Sequence, residues 1–226
     1  MNKAAMKHSP SLVRLSATLL IALAASTSLT ACFPLLLGGA VVGSSVVLID
    51  RRTTGSQIED EAIELKAANR LGDVMGKRGN ISVTSYNQLV LIVGDVTSED
   101  DRKLAEQTVS RIDKVRSIVN ELAVFSTLPA SSFGSETLLT SRVKAALVDS
   151  KDPLANVVKV VSQRGTVYLM GRVTEREATQ AAEAARSVSD VRKVVKVFEI
   201  ISEAELAAMK TMPASSADNK SAAPVR

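Results

Sequence analysis

The sequence predicts an α+β protein made of two tandem copies of one small domain. Each copy reads helix, strand, strand, helix, strand. Three observations carry this. First, "VLIVGDVTSEDDRKLAEQTVSRIDKVRSIVNELAVF" and "VYLMGRVTEREATQAAEAARSVSDVRKVVKVFEI" resemble each other. Gly94 matches Gly171, Val96-Thr97 matches Val173-Thr174, and Ala105-Glu106 matches Ala182-Glu183, each pair 77 residues apart. Val115 matches Val191 at 76, which places one extra residue of the first copy just before its last strand. Second, an amphipathic stripe precedes each segment. Third, turn-rich stretches bound both. The spacing exceeds the roughly 20–50 residues of solenoid repeats, so two separate domains are the better reading.

The elements follow in order. A helix is expected at about 59–71 in the first copy and 136–148 in the second, where Leu139, Val143, Ala146 and Leu147 fall on one helical stripe. A strand follows at 81–85 or 157–161. Asn87-Gln88 and Arg164-Gly165 are the hairpin turns. The second strand covers 89–93 or 166–170 and is rich in β-formers, with Gly94 and Gly171 read as structural turn or close-packing residues that end it. Thr174 with Glu177 has capping-box spacing, and Thr97 with Asp100 is the weaker analogue. These helices run to about Arg111 or Ser187, and final strands occupy 115–124 or 191–201. A strand–helix–strand connection favours a right-handed crossover between parallel strands. Each copy should therefore be a three-stranded mixed sheet with both helices on one face. The domains are placed at 57–125 and 135–201, joined by a linker at 126–134, with a short helical or disordered tail at 202–226.

The N-terminus has a different logic. Lys3, Lys7, His8 and Arg14 precede an apolar run, and small residues follow up to Ala31. This is the layout of a secretory signal peptide, 1–31. Leu29-Thr30-Ala31-Cys32 looks like a bacterial lipobox, which makes Cys32, the single cysteine, a lipid-attachment residue; the alternative is a secreted protein with a stray cysteine. One acyl chain holds a protein only marginally, and two or more anchor it. Residues 32–56 form an apolar, glycine- and serine-containing tether, either loosely structured or lying at the lipid interface. Arg51-Arg52 ends its apolar run, within reach of lipid phosphates.

Enzyme chemistry finds few ingredients. His8, the single histidine, leaves with the leader, and Cys32 is acylated, so neither a neutral-pH acid–base group nor a free thiol remains. No Cys/His metal cluster is available, and no cofactor is implied. Glu99, Asp100, Asp101, Glu175 and Glu177 cluster in first helical turns, where they complement the helix dipole. No phosphate-binding or dinucleotide fingerprint appears.

The two copies resemble BON domains, and the whole layout is similar to that of the dual BON-domain outer-membrane lipoproteins of the DolP type. The residues that carry this are "VYLMGRVTEREATQAAEAA" from Val167, "VRKVV" from Val191, "NISVTSY" from Asn80 and the "LTAC" lipobox. The resemblance implies a non-catalytic protein that supports envelope integrity and binds anionic phospholipid through its second domain. Phe33, rather than aspartate, follows Cys32, which by the sorting rule of enteric bacteria implies the outer membrane, facing the periplasm.

Charge agrees in sign. Residues 57–125 hold nine Lys+Arg against twelve Asp+Glu, and residues 135–201 hold eleven against eight. A basic domain near an anionic bilayer gains about 1 kcal/mol per basic side chain. The candidate phospholipid-binding residues are Leu138, Leu139, Arg142, Lys144 and Lys151. Leu138 lies about 100° off the stripe of Leu139, Val143 and Leu147, and stands where members of the family can carry tryptophan. The competing reading is an adapter for outer-membrane assembly proteins or peptidoglycan-linked partners. Nucleic acid is not expected, since the basic patches lack interleaved aromatics.

Overall fold

A computed structural model describes residues 50–129, 133–150 and 154–211. The first copy contains α1 (Thr54–Met75), β1 (Gly79–Tyr86), β2 (Leu89–Val96), α2 (Glu99–Ser110) and β3 (Ser117–Val124). The second contains α3 (Phe133–Val148), β4 (Lys159–Gln163), β5 (Thr166–Val173), α4 (Glu175–Arg186) and β6 (Lys193–Ile200), followed by α5 (Glu203–Thr211). There are two separate three-stranded sheets, in the orders β1-β2-β3 and β4-β5-β6. In each the first pair is antiparallel and the second parallel, the predicted mixed sheet.

The hairpins turn as their residues predict. Asn87 and Gln88 have φ of 50° and 68°, and Arg164 and Gly165 have 50° and 71°, both central positions being left-handed. Gln88 has no intrinsic preference for that region, so its strain must be offset. Asp60 does this from α1: it accepts the N–H groups of Asn87 (2.7 Å) and Gln88 (2.8 Å). Glu136, 76 residues on, accepts the N–H of Arg164 at 2.7 Å. An acid in the first two turns of each copy's first helix thus ties that helix to its own hairpin.

Gly94 and Gly171 do not end their strands. β2 runs on to Val96 and β5 to Val173. What makes them glycine is close approach of the neighbouring backbone. A Cβ on Gly94, at φ +130°, would lie 2.0 Å from the carbonyl oxygen of Asn80. One on Gly171 would lie 2.8 Å from that of Val157.

Other boundaries also move. α1 starts at Thr54, capped by Thr53, whose hydroxyl accepts the Ser56 N–H at 3.1 Å; residues 54–56 are therefore helix, not tether. β4 starts at Lys159 rather than Val157, because the N–H groups of Val157 and Val158 both turn back onto the Leu154 carbonyl. The final strands start two residues later than read, at Ser117 and Lys193, after left-handed corners at Lys114 and Asp190. The cap of α2 is Ser98 with Asp101, not Thr97 with Asp100. Strand ends Val96 and Val173 match at 77 residues while caps Ser98 and Thr174 match at 76, so the extra residue lies between β2 and α2. Thr174 and Glu177 form the predicted capping box.

Each copy has its own core between helices and sheet. In the first it is built on Ile63, Ala67, Leu71, Val90, Ile92 and Val109; in the second on Leu139, Val143, Leu147, Val167, Leu169 and Ala185. A third cluster joins the copies: Tyr86, Leu91 and Val93 of the first meet Tyr168, Met170 and Val197 of the second. The order of layers is therefore helices, sheet, sheet, helices. It explains why "VLIVGDV" and "VYLMGRV" are apolar on both faces: β2 and β5 are central strands covered on both sides. Each fully buried large apolar side chain contributes about 1.5–3 kcal/mol.

Ion pairs rim this junction. Lys159 reaches Glu64 at 2.7 Å, Arg164 pairs with Asp95, and Glu199 takes Arg116 at 2.9 Å and the Asn87 amide at 2.7 Å. The hairpin of each copy therefore lies against the far end of the other copy's sheet. Among the described residues, no helix is long and apolar enough to cross a membrane.

Candidate functional site

The start of α3 borders an open groove of about 970 Å³. α3 supplies one wall, with Leu138, Arg142 and Lys144; the β4–β5 hairpin, Asp190 and Arg192 supply another. The first copy completes it with Asn80, Ser82 and the Val93–Asp95 stretch of β2.

α3 separates two faces by one residue. Leu139, grouped from sequence with the phospholipid-binding side chains, is 6% exposed and belongs to the core with Val143 and Leu147. Its place on the apolar stripe decides this. Leu138, next to it, is 52% exposed. Arg142 is one turn on and donates to Asp190 at 2.8 Å; both partners are exposed. Such a surface pair is worth about 0–1 kcal/mol, so Arg142 exchanges partners at little cost. Lys144 is exposed and forms no ion pair among the described residues. Lys151 and Cys32 lie outside the described residues.

Sequence reading missed part of this site. In sequence Arg164 is explained by the hairpin turn alone. It lies in the groove wall, pairs with Asp95 and sits 5.5 Å from the Phe125 ring centroid. Arg192 lies in the same wall, in the "VRKVV" run where only a strand was read. The groove lining holds four basic residues (Arg142, Lys144, Arg164, Arg192) and three acids (Asp95, Glu136, Asp190).

Two residues read as candidates for lipid phosphate are otherwise engaged. Arg51 pairs with Glu177 at 2.7 Å and is 6% exposed; Arg52 pairs with Asp60 at 2.8 Å and is 13% exposed. Lys159 and Arg164 are likewise held across the domain junction, so the positive balance of the second domain is only partly available to a surface.

The carboxylates at these junctions are shifted. Burial pushes Glu177 up, but hydrogen bonds from Arg51 and the Thr174 N–H outweigh it and hold the group below its ordinary range. Asp60 follows the same balance: burial raises it, and Ser85, Gln88, Arg52 and Asn87 lower it further. Glu199 is held down by Asn87 and Arg116 against its burial. All three shifts serve structural ion pairs.

Comparison with known proteins agrees with this architecture. The family profile "BON domain" matches residues 59–124 and 135–202. The chain is 35% identical to the outer membrane lipoprotein DolP of Haemophilus influenzae over 167 residues, covering 73% of this chain and 86% of that one. It is 28% identical to a 21 kDa hemolysin of Actinobacillus pleuropneumoniae over 137 residues, covering 60% and 71%. Among solved structures it matches CdsD, a structural protein of the type III secretion system of Chlamydia trachomatis, at 12% identity with a TM-score of 0.26, over 66% of this chain and 99% of that one. Two profile matches that coincide with two independently cored sheets leave one conclusion: the chain belongs to the BON-domain family, with two copies of the domain in tandem.

Proposed function

We propose that this protein is a non-catalytic outer-membrane lipoprotein, anchored through Cys32 and facing the periplasm, that binds anionic phospholipid with the groove-side face of α3 and so supports envelope integrity. The observation that carries the reading is Leu138, half-exposed beside Arg142 and Lys144 on a helix whose other face is fully committed to the core. An apolar side chain that enters the headgroup layer, flanked by phosphate-seeking cations, is how an interfacial helix binds. Similarity to the outer membrane lipoprotein DolP supports the location.

The test is vesicle flotation of residues 46–226, the compact unit that keeps Arg51 and Arg52. Complete burial of a leucine is worth about 1.5–3 kcal/mol, and 1.4 kcal/mol is about one decade of affinity. Leu138→Glu should weaken binding to anionic vesicles about tenfold or more with circular dichroism unchanged, and zwitterionic vesicles should bind less than anionic ones. Added salt should weaken wild-type binding only in part, because it screens charge and spares the apolar term. Equal flotation of wild type and Leu138→Glu removes α3 from the mechanism.

A second reading, a protein adapter for envelope assembly, is favoured by a different surface. Ile58 and Leu65 are 63% and 64% exposed on α1. Seven residues apart, they share the helix face opposite the core. Lipid-independent behaviour in the flotation assay brings this reading forward.

A further inference from the structure

The third residues of α2 and α4 are equivalent carboxylates with different partners. In the first copy, Asp101 accepts the hydroxyls of Thr97 (2.9 Å) and Ser98 (2.7 Å) and pairs with Arg78, which directly precedes β1. The 77-residue offset of the paired strands, counted back from Lys159 into the turn before β4, puts Ala155 at the matching place in the second copy. Glu177 therefore has no arginine there, and its arginine comes from 126 residues away. Arg51 donates from both terminal nitrogens to the two Glu177 oxygens, each at 2.7 Å, and also to the Arg172 carbonyl at 2.8 Å. Both side chains are 6% exposed. A two-pronged pair of this kind fixes geometry as well as charge.

The next residue is held by the other copy. Arg52 donates to Asp60 at 2.8 Å, the same carboxylate that secures the β1–β2 turn, and lies 4.3 Å over the Tyr86 ring. Asp50 closes the set, accepting from Arg52 at 2.6 Å. Consecutive arginines thus enter consecutive domains.

We propose that Asp50–Arg52 is a clasp that docks the N-terminal segment across both domains, with Glu177 and the Arg172 carbonyl as the receptor for Arg51, and Asp60 and Tyr86 as the receptor for Arg52. The clasp completes the second domain with a residue the duplication did not supply. It also fixes Asp50–Arg52 at the Arg172 end of β5. Leu138 is at the other end, where Glu136 ties α3 to Arg164. The six residue steps from Thr166 to Arg172 span roughly 20 Å at ~3.3 Å each. The clasp rests on the ion pairs alone and stands whether or not α3 binds lipid.

Trypsin reads the clasp directly, because it cuts after Arg51 and Arg52 only when they are undocked. The full-length protein in detergent micelles is digested briefly and the new N-termini identified by mass spectrometry. Wild type should resist at both bonds. Glu177→Gln removes the charge but keeps a side-chain carbonyl for the Thr174 N–H, so the helix cap survives; it should speed cleavage at Arg51 and Arg52 at least tenfold with no new cuts within 135–201. Should Glu177→Gln instead open the whole second domain, Arg51→Gln leaves the receptor intact, and cleavage after Arg52 should still rise tenfold. Wild type cut as fast as Glu177→Gln overturns the clasp, as does a folded Glu177→Gln or Arg51→Gln protein that stays as resistant as wild type.

Discussion

The two copies share one fold but are not equally complete. Of its three buried carboxylates among the described residues, the first supplies a cation only for Asp101, from Arg78, while Asp60 takes Arg52 and Asp95 takes Arg164 of the second copy; the second keeps its capping box yet takes the cation of Glu177 from the segment that precedes the first copy. They also differ in sign. The acids of the first copy and the bases of the second meet across the junction in Glu64–Lys159 and Asp95–Arg164. Once two copies pack sheet to sheet, each becomes part of the other's environment, so opposite charge is first a device for docking. Only the remainder, chiefly Arg142, Lys144 and Arg192 around the groove, is left to act on a surface.

The comparison can be broken hardest at the glycines. Gly94 combines a φ of +130° with a virtual Cβ 2.0 Å from a backbone oxygen, and neither backbone can yield without opening the β1–β2 ladder. Gly94→Ala should cost about 4 kcal/mol or more, in the exceptional range for a single substitution. Gly171→Ala meets the Val157 backbone carbonyl at 2.8 Å, so the backbone must shift, but no positive φ adds to the strain. It should cost about 1–3 kcal/mol, the usual penalty of overpacking. Urea unfolding of both variants checks the order. Equal costs would mean that the close approach, not the dihedral, sets the requirement in both copies.

The arginines sharpen it next. Arg51 is 6% exposed against a buried Glu177, whereas Arg78 is 52% exposed against Asp101. Removal of one partner from a buried pair costs about 3–5 kcal/mol, because the other charge is left uncompensated. The Arg78–Asp101 pair lies between the buried and exposed limits: Asp101 is 5% exposed, but Arg78 is half in solvent, and a surface pair is worth about 0–1 kcal/mol. Arg51→Ala should therefore destabilise the protein by several kcal/mol, and Arg78→Ala by clearly less, since the Thr97 and Ser98 hydroxyls still donate to Asp101. Thermal unfolding monitored by circular dichroism separates the two. Comparable losses would argue that the second copy does not depend on the N-terminal segment.

Much of this was legible in the sequence because it is local. The helical stripes, the hairpin turns at Asn87-Gln88 and Arg164-Gly165 and the Thr174–Glu177 cap each depend on a few neighbouring residues. Even the split of α3 follows from spacing, which put Leu138 off the stripe that carries Leu139. What was not legible depends on long-range contact. Nothing near Glu177 in sequence says that its cation is Arg51. Close packing at Gly94 and Gly171 is one of the two readings the sequence offers, but the chain that approaches, at Asn80 or Val157, is known only from the strand pairing. Two signals were present and unread. "VLIVGDV" and "VYLMGRV" are apolar at successive positions, as strands covered on both faces are, and the acids Asp60 and Glu136 recur 76 residues apart in the first two turns of each first helix.

The smallest effect is set by pH. Glu177, Asp60 and Glu199 all have carboxyl groups held below their ordinary values in the folded protein, against the opposing push of burial. A depressed folded value means that the contribution to stability is complete above the unfolded value and is lost as pH falls through the folded one. The window therefore opens near pH 4.5, the ordinary value for glutamate, and extends downward. Each unit of depression is worth about 1.4 kcal/mol. The groups concerned tie the clasp, the first hairpin and the domain junction, so acid should loosen the attachments between parts before it reaches the apolar cores. Arg51→Ala isolates one share of this. Without Arg51, burial still pushes Glu177 up while only the Thr174 N–H and the Arg176 charge hold it down, so its depression shrinks and the variant loses less than wild type on protonation. The stability gap between the two should be widest at pH 6 to 7 and should narrow as pH falls below 4.5. Unfolding midpoints of both proteins between pH 7 and 3 measure it; a gap that stays constant would mean that Glu177 carries no charge in the folded protein and that the pair with Arg51 is not ionic.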